Sequence, residues 1–191
     1  DGGIVGPPVR RAGTTRLFLS GARAAEAATC FAGSPLAAVV MTGDIGAASA
    51  LKMAYAAYTK GGTALLATIL ALAQGHGVEA DLRREWDLSH PGLADEARKS
   101  IERAAPKAWR FVGEMGEIAA TFEAIGLPGG FHHAAADIYR RLEGHAEDPA
   151  SEFSALIQEL LDNSLQLPGG AALEESPGRR SLLGGVQGVS P

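Results

Sequence analysis

The stretch DIGAASALKMAYAAYTKGGTALLATILALAQ, residues 44–74, decides the fold of this chain. It has no proline and little charge, and a Gly-His-Gly sequence follows it at residues 75–77. These features predict one long, heavily buried helix that starts at Asp44 or Gly46. Its longest apolar run, residues 61–73, is shorter than the roughly 20 residues that span a bilayer, so we expect a core helix and no membrane partner.

The segments on both sides of this helix predict a mainly α fold in which strands and helices are segregated. Upstream, short β-type segments lie at residues 1–9, 14–21 and 36–41, with a short helix at 22–31. Downstream, further helices are predicted at residues 79–87, 93–105, 106–125, 129–144 and 151–165. Because isolated strands are unstable in water, we expect the first two to be the edge of a sheet that continues upstream of residue 1.

Composition and charge exclude several classes of protein. The chain is 46% hydrophobic with many alanines and only 6% aromatic residues, which favours close-packed helices with small residues at their contacts. A net charge of −5 without a Lys/Arg run argues against a nucleic-acid partner. Cys30 is the sole cysteine, which excludes an internal disulfide and a cysteine-based zinc site and makes the cytoplasm the expected compartment.

The long helix carries a polar stripe. Ser49, Lys52, Tyr55, Thr59 and Thr63 recur at spacings of three and four residues, which places them on one face of an otherwise apolar helix. Burying such groups without partners would cost about 1–3 kcal/mol each. We therefore expect the stripe to face a groove.

Lys52 is the candidate general acid/base of this stripe, because an amine in an apolar, partly desolvated groove is suited to proton transfer. The helix start at residues 43–46 offers backbone N–H groups to a substrate carboxylate or phosphate. The structural alternatives are a lysine that extends into solvent, hydroxyls that bond their own helix, and glycines that only form a turn.

The segment GDIGAASALKM, residues 43–53, resembles the Gly-x-x-Gly…Lys helix motif of the β-hydroxyacid dehydrogenases and of 6-phosphogluconate dehydrogenase. The opening DGGIVGP, residues 1–7, looks like their substrate-binding segment, and the resemblance extends over residues 1–165. It implies an oxidoreductase that transfers hydride between NAD or NADP and a hydroxyacid or sugar acid, with Lys52 moving the hydroxyl proton. It also implies a helical C-terminal domain that forms a homodimer.

The same resemblance implies a domain organisation. Residues 1–41 would be the last strands and helix of a truncated nucleotide-binding domain, and residues 42–167 the helical domain for substrate binding and dimerisation. Residues 168–191 are rich in Gly, Ser and Pro and are expected to form a flexible tail. Because no Gly-x-Gly-x-x-Gly fingerprint occurs, NAD or NADP is expected to bind mainly to an N-terminal domain absent from this chain.

The resemblance also supplies substrate-binding candidates in three segments of the chain. They are Gly6 and Pro7 in the first segment, Ser49 and Tyr55 on the long helix, and His132 in GLPGGFH, residues 126–132. No metal is expected, because His132 and His133 point to different helix faces and lack enough convergent partners.

Two departures from the family motifs leave alternatives open. Ala56 stands where the family usually has an asparagine, and Val5 stands where it has a serine. The alternatives are a non-catalytic helical dimerisation module and an imine reductase-like enzyme, which shares the same architecture.

Overall fold

A computed structural model describes residues 1–146 and 152–162 of the chain. The predicted flexible tail at residues 168–191 lies outside the described residues, as does the end of the last predicted helix.

The described residues form a short sheet followed by a helical bundle. The strands are β1 (Gly2–Val5), β2 (Arg16–Leu19) and β3 (Ala37–Val40). The helices are α1 (Ala24–Thr29), α2 (Ala47–Ala56), α3 (Gly62–Gly75), α4 (Glu79–Ser89), α5 (Leu93–Ala104), α6 (Ala108–Glu123), α7 (Gly130–Arg141) and α8 (Phe153–Leu161). A π turn (Ala57–Gly61) joins α2 to α3, and 3₁₀ turns lie at Ala105–Lys107 and Glu143–His145. The mainly α prediction, with strands first and helices after, is confirmed.

The sheet has the order β1-β2-β3. β1 pairs antiparallel with β2, with Gly2 opposite Leu19, and β2 pairs in parallel with β3 through the α1 crossover. Leu17, Leu19 and Ala24 form a small apolar cluster between the sheet and α1. This cluster is separate from the helical core, and the packing of β1 against α2 joins the two parts.

The central helix runs from Ala47 to Gly75 and is continuous through the π turn. Gly46 precedes it with φ of +104°, a left-handed conformation that glycine adopts without strain, so the predicted start at Gly46 is confirmed. The helix is less buried than the sequence predicted. One side lies in the core, whereas Tyr58, Leu65 and Leu72 are exposed on another side.

The core of the bundle is built largely from alanines, as the composition predicted. Ala97, Ala108 and Ala119 are completely buried, and the larger side chains around them include Ile101 and Met115. Small side chains let neighbouring helices approach closely, so the interior is filled by backbone contact as much as by bulky groups.

By length and composition alone, the 29-residue helix Ala47–Gly75 is apolar enough to cross a bilayer. The sequence argument considered only its longest uninterrupted apolar run, which is shorter. The central helix of a globular core has the same properties, and Ala64, Ala67 and Leu70 are buried in the core here. The absence of a membrane partner stays a prediction.

Candidate functional site

An open groove of about 1000 Å³ runs along the central helix. One wall consists of the end of β1, α2, the π turn and the first turns of α3. The facing wall consists of α5, the 3₁₀ turn after it and α6. Four residues of the polar stripe predicted on the central helix therefore line a groove, whereas Ser49 does not.

A close contact between β1 and α2 places Lys52 in this groove. A Cβ atom at Gly3 would lie 2.6 Å from the Ala48 carbonyl oxygen and 3.2 Å from the Lys52 Cβ. Only glycine lets the strand approach the helix this closely, because any side chain would overlap the helix backbone. The strand then continues along the groove wall to Gly6 and Pro7.

Four of the predicted site residues are brought together. Gly6, Pro7, Lys52 and Tyr55 all line the groove. Lys52 is exposed, however, so the expected partial desolvation of its amine is not found in this chain. Gly6 and Lys52 belong to two motifs that are far apart in the sequence, and they line one groove in the fold.

The threonines of the stripe also line the groove, but their hydroxyls bond the helix itself. The Thr59 hydroxyl donates to the Tyr55 carbonyl at 3.1 Å, and the Thr63 hydroxyl donates to the Thr59 carbonyl at 2.8 Å. For these two side chains the structural interpretation is therefore correct, because their hydroxyls bond carbonyl groups of their own helix.

Ser49 lies outside the groove lining and binds Asp1. The Asp1 carboxylate accepts hydrogen bonds from the amides of Gly46 (3.1 Å) and Ser49 (3.0 Å) and from the Ser49 hydroxyl (2.7 Å). The Ser20 hydroxyl oxygen accepts a hydrogen bond from the Ala48 amide at 3.0 Å. The expectation that the helix start offers these N–H groups to a substrate anion is wrong, because side chains of this chain already occupy them.

His132 is also away from the groove. Its ring is 5% exposed and packs between Phe122 and Phe131, with centroid distances of 4.4 and 5.2 Å. Its Nδ1 atom has no hydrogen-bond partner among residues 1–146 and 152–162 and lies 3.7 Å from the position of a Cβ built on Gly61 in the π turn. Burial, and to a smaller extent the neighbouring His133, lowers the pKa of His132 below its usual value.

A second polar centre in the groove was missed by the sequence analysis. The Lys60 amine lies 2.7 Å from Glu114 Oε2, and Arg110 lies 3.3 Å from Glu114 Oε1. The Tyr139 hydroxyl donates to the Lys60 carbonyl at 2.7 Å. No local sequence pattern predicts these contacts, because they join the π turn to α6 and α7, which are far away in the sequence.

The charges of this centre change the acidity of its members. Burial raises the pKa of Glu114, but the hydrogen bonds and charges of Lys60 and Arg110 outweigh burial and leave this pKa below its usual value. Burial is also the main reason that the pKa of Tyr139 is raised well above 10, with a smaller contribution from Glu114. Glu114 is therefore a carboxylate and Tyr139 a neutral phenol at neutral pH.

The described residues do not contain the glycine-rich turn that is typical of a dinucleotide site. The turn between β2 and α1 carries Gly21 alone rather than three spaced glycines, and a Cβ at Gly21 would lie 3.0 Å from Ile45, so packing fills the space above it. Within residues 1–146 and 152–162 no three metal-ligating side chains cluster.

Comparisons with known proteins agree with this architecture. Residues 73–142 match a family model described as a domain of unknown function, DUF1932. No curated protein matches the chain. Among solved structures, the chain is similar to a conserved hypothetical protein from Sinorhizobium meliloti 1021, with 26% identity and a TM-score of 0.64 over 76% of this chain and 50% of that one.

A second solved structure is that of the conserved protein MTH1747 of unknown function, described as revealing structural similarity with 3-hydroxyacid dehydrogenases. The identity is 25% and the TM-score 0.64, over 79% of this chain and 58% of that one. This chain thus spans only about half the length of the solved relatives that it matches. In fold the chain is similar to these two proteins, and most of its described residues form a helical domain like theirs.

Proposed function

We propose that this chain supplies the substrate groove and the proton-transfer lysine of an NAD- or NADP-dependent oxidoreductase that acts on a hydroxyacid or sugar acid. The observation that carries the proposal is the contact of β1 with α2 at Gly3, which sets Lys52 beside Gly6 and Pro7 in one groove. The likeness to MTH1747, itself described as similar to 3-hydroxyacid dehydrogenases, supports the class of reaction.

In this proposal Lys52 accepts the hydroxyl proton of the substrate, and Tyr55 orients the substrate from the next turn of α2. Both side chains lie in the groove and are open to solvent, so a small acid reaches them without any rearrangement of the described residues. The described residues offer no dinucleotide cradle, so the proposal assigns the cofactor to residues outside them. The part played by this chain is to bind and orient the substrate and to move the proton.

The test is the replacement of Lys52 by methionine in the full-length protein, with Lys99→Met as the matched control. Lys99 is exposed on α5 and does not line the groove. NAD- and NADP-dependent turnover would be measured on a panel of hydroxyacids, sugar acids and cyclic imines. We expect Lys52→Met to lower kcat by about 10²-fold or more and Lys99→Met to leave it unchanged. Near-normal turnover by Lys52→Met on its best substrate would overturn the proposal.

The second candidate function is self-association, favoured by the exposed apolar stripe on the central helix. Leu65 and Leu72 are spaced seven residues apart in α3, which puts them on one face, and both are exposed. Tyr58 in the π turn is exposed as well, and Tyr58 and Leu65 lie at the border of the groove. We propose that this stripe pairs with the same stripe of a second copy to form a homodimer. Sedimentation of the Leu65→Glu/Leu72→Glu variant tests this proposal, since a dimer that survives both charges does not use the stripe.

A further inference from the structure

The loop between β1 and β2, residues 6–15, folds around a cavity of its own, which we call the loop cavity. It has a volume of about 340 Å³ and is lined by Pro7, Pro8, Arg10, Arg11 and Thr14. Of these five residues, Pro7 is the one that also lines the groove along the central helix. The loop cavity is therefore a separate place from the groove that contains Lys52.

Hydrogen bonds and a close backbone contact fix the shape of this loop. The Thr15 hydroxyl donates to the Pro7 carbonyl at 2.5 Å, and the Thr14 hydroxyl donates to the Arg11 carbonyl at 2.8 Å. At Gly6 the two ends of the loop approach so closely that a Cβ atom would lie 2.6 Å from the Thr14 carbonyl oxygen. The two adjacent prolines restrict the backbone further, because their rings fix φ. The loop is therefore preorganised for binding.

The loop cavity carries a positive charge that its lining does not neutralise. Arg10 and Arg11 both line it, and no aspartate or glutamate of the described residues does. Both side chains are exposed, and within residues 1–146 and 152–162 neither guanidinium group forms an ion pair. The chain as a whole has a net charge of −5. A local positive charge on an acidic protein attracts anions to that place.

The sequence of the loop explains why these two arginines have no local partner. Exposed arginines on the helices, such as Arg23 and Arg98, pair with a glutamate three or four residues away. Residues 6–15 contain no acidic residue, so a pair of this kind cannot form within the loop. The guanidinium groups of Arg10 and Arg11 are therefore available to an external anion.

We propose that the loop cavity binds a small organic phosphate through Arg10 and Arg11. Two guanidinium groups match the two negative charges of a phosphate monoester, and the planar fork of each can bind two phosphate oxygens. The rings of Pro7 and Pro8 offer apolar surface to the organic part of the ligand. A volume of about 340 Å³ lies at the lower end of the range for small-molecule sites, which favours a metabolite over a macromolecule.

This assignment does not depend on the proposed function, because a phosphate in the loop cavity needs neither a nicotinamide cofactor nor Lys52. The ligand is distinct from a substrate bound in the groove, since Pro7 forms part of the wall of each. An experiment on binding alone can therefore test it.

The test is a titration of the chain with glycerol 3-phosphate at pH 7.5 and low salt, followed by amide chemical shifts. The test variants are Arg10→Gln, Arg11→Gln and the double replacement. Both side chains are exposed, and the loop uses the Arg11 carbonyl rather than its side chain, so the fold should persist, which circular dichroism verifies. Lys99→Gln is the matched control, because it removes one exposed positive charge outside both the loop cavity and the groove. Lys52→Met controls for binding in the groove.

We expect a dissociation constant below about 10 mM, with the largest shifts in residues 9–15. Each single variant should weaken binding about threefold or more and the double variant about tenfold or more, whereas both controls should bind as the unchanged chain does. Inorganic phosphate should compete, and glycerol should not. Equal binding by the double variant, loss of binding in Lys52→Met, or tighter binding of malonate than of glycerol 3-phosphate would overturn the assignment.

Discussion

The Asp1 carboxylate accepts two hydrogen bonds from Ser49, one from its amide at 3.0 Å and one from its hydroxyl at 2.7 Å. Asp1 lies immediately before β1, and Ser49 lies one turn before Lys52. The contact therefore ties the start of the sheet to the start of the helix that carries the candidate proton-transfer group. It is also a helix cap supplied from 48 residues away, in a helix whose own N-cap residue is a glycine.

Asp1→Ala should destabilise the protein by about 1–2 kcal/mol, because it removes both a cap and a negative charge at the positive end of the helix. Urea denaturation followed by circular dichroism measures the change. The matched control is Asp44→Ala, which removes the same charge near the same helix end, where the side chain is exposed and makes no hydrogen bond to any of the described residues. A loss for Asp44→Ala as large as that for Asp1→Ala would show that charge alone, rather than the cap, is responsible.

Gly3→Ala should be poorly tolerated, whereas Gly2→Ala should be accepted. A Cβ at Gly3 would lie 2.6 Å from a backbone oxygen of α2. A Cβ at Gly2 would meet the ends of the Leu19 and Leu17 side chains at 3.3–3.4 Å and would lie in ordinary contact, at 3.7 Å, with a backbone oxygen of β2. We expect a loss of about 1–3 kcal/mol for Gly3→Ala, because the strand must move away from the helix. Thermal unfolding of the two variants decides the matter, and equal melting temperatures would contradict the close contact.

Much of the fold could be predicted because local residues mark the ends of its elements. The left-handed glycines at Gly46 and Gly92 precede α2 and α5, and the 3₁₀ turn before α6 contains Pro106. These signals act within a few residues of the boundary, so they can be read from the sequence. The predicted helices accordingly agree with the observed ones to within a few residues at most ends.

The rest of the site depends on contacts between distant residues, and no local pattern records these. The Tyr139–Lys60 hydrogen bond spans 79 positions, and the Asp1–Ser49 contact spans 48. The π turn is hidden as well, because one extra residue in an alanine-rich helix leaves the apolar pattern almost unchanged. Sequence reasoning therefore placed Lys52 and Tyr55 on the groove face but missed Lys60.

Tyr139→Phe should lower the stability at neutral pH by about 1–2 kcal/mol, because the Lys60 carbonyl loses its partner. The exposed Tyr58→Phe is the matched control, for which we expect a change within about 0.5 kcal/mol.

The pH dependence gives an independent test of Tyr139. Burial raises the pKa of the folded-state Tyr139 above the unfolded value of 10.0. Its stabilising contribution is therefore complete below pH 10 and is lost as the pH rises further, since the unfolded phenol ionises and the folded one does not. Above pH 10 the unchanged protein should lose stability faster than Tyr139→Phe does. Parallel stability curves for the two proteins would contradict this account.

His132→Phe should make the protein less sensitive to acid. Burial holds the pKa of His132 below the unfolded value of 6.5, so the unfolded state gains a proton that the folded state does not as the pH falls through that value. The stability of the unchanged protein should therefore decrease below about pH 6.5, and His132→Phe should lose less between pH 7.5 and pH 5. The readout is the difference between the two pH values, so any overpacking between Phe122 and Phe131 affects both alike. The control is His76→Phe, which makes the same replacement at an exposed histidine. This variant should keep the acid sensitivity of the unchanged protein. If it reduced the acid sensitivity as much as His132→Phe does, burial of His132 would not be the cause.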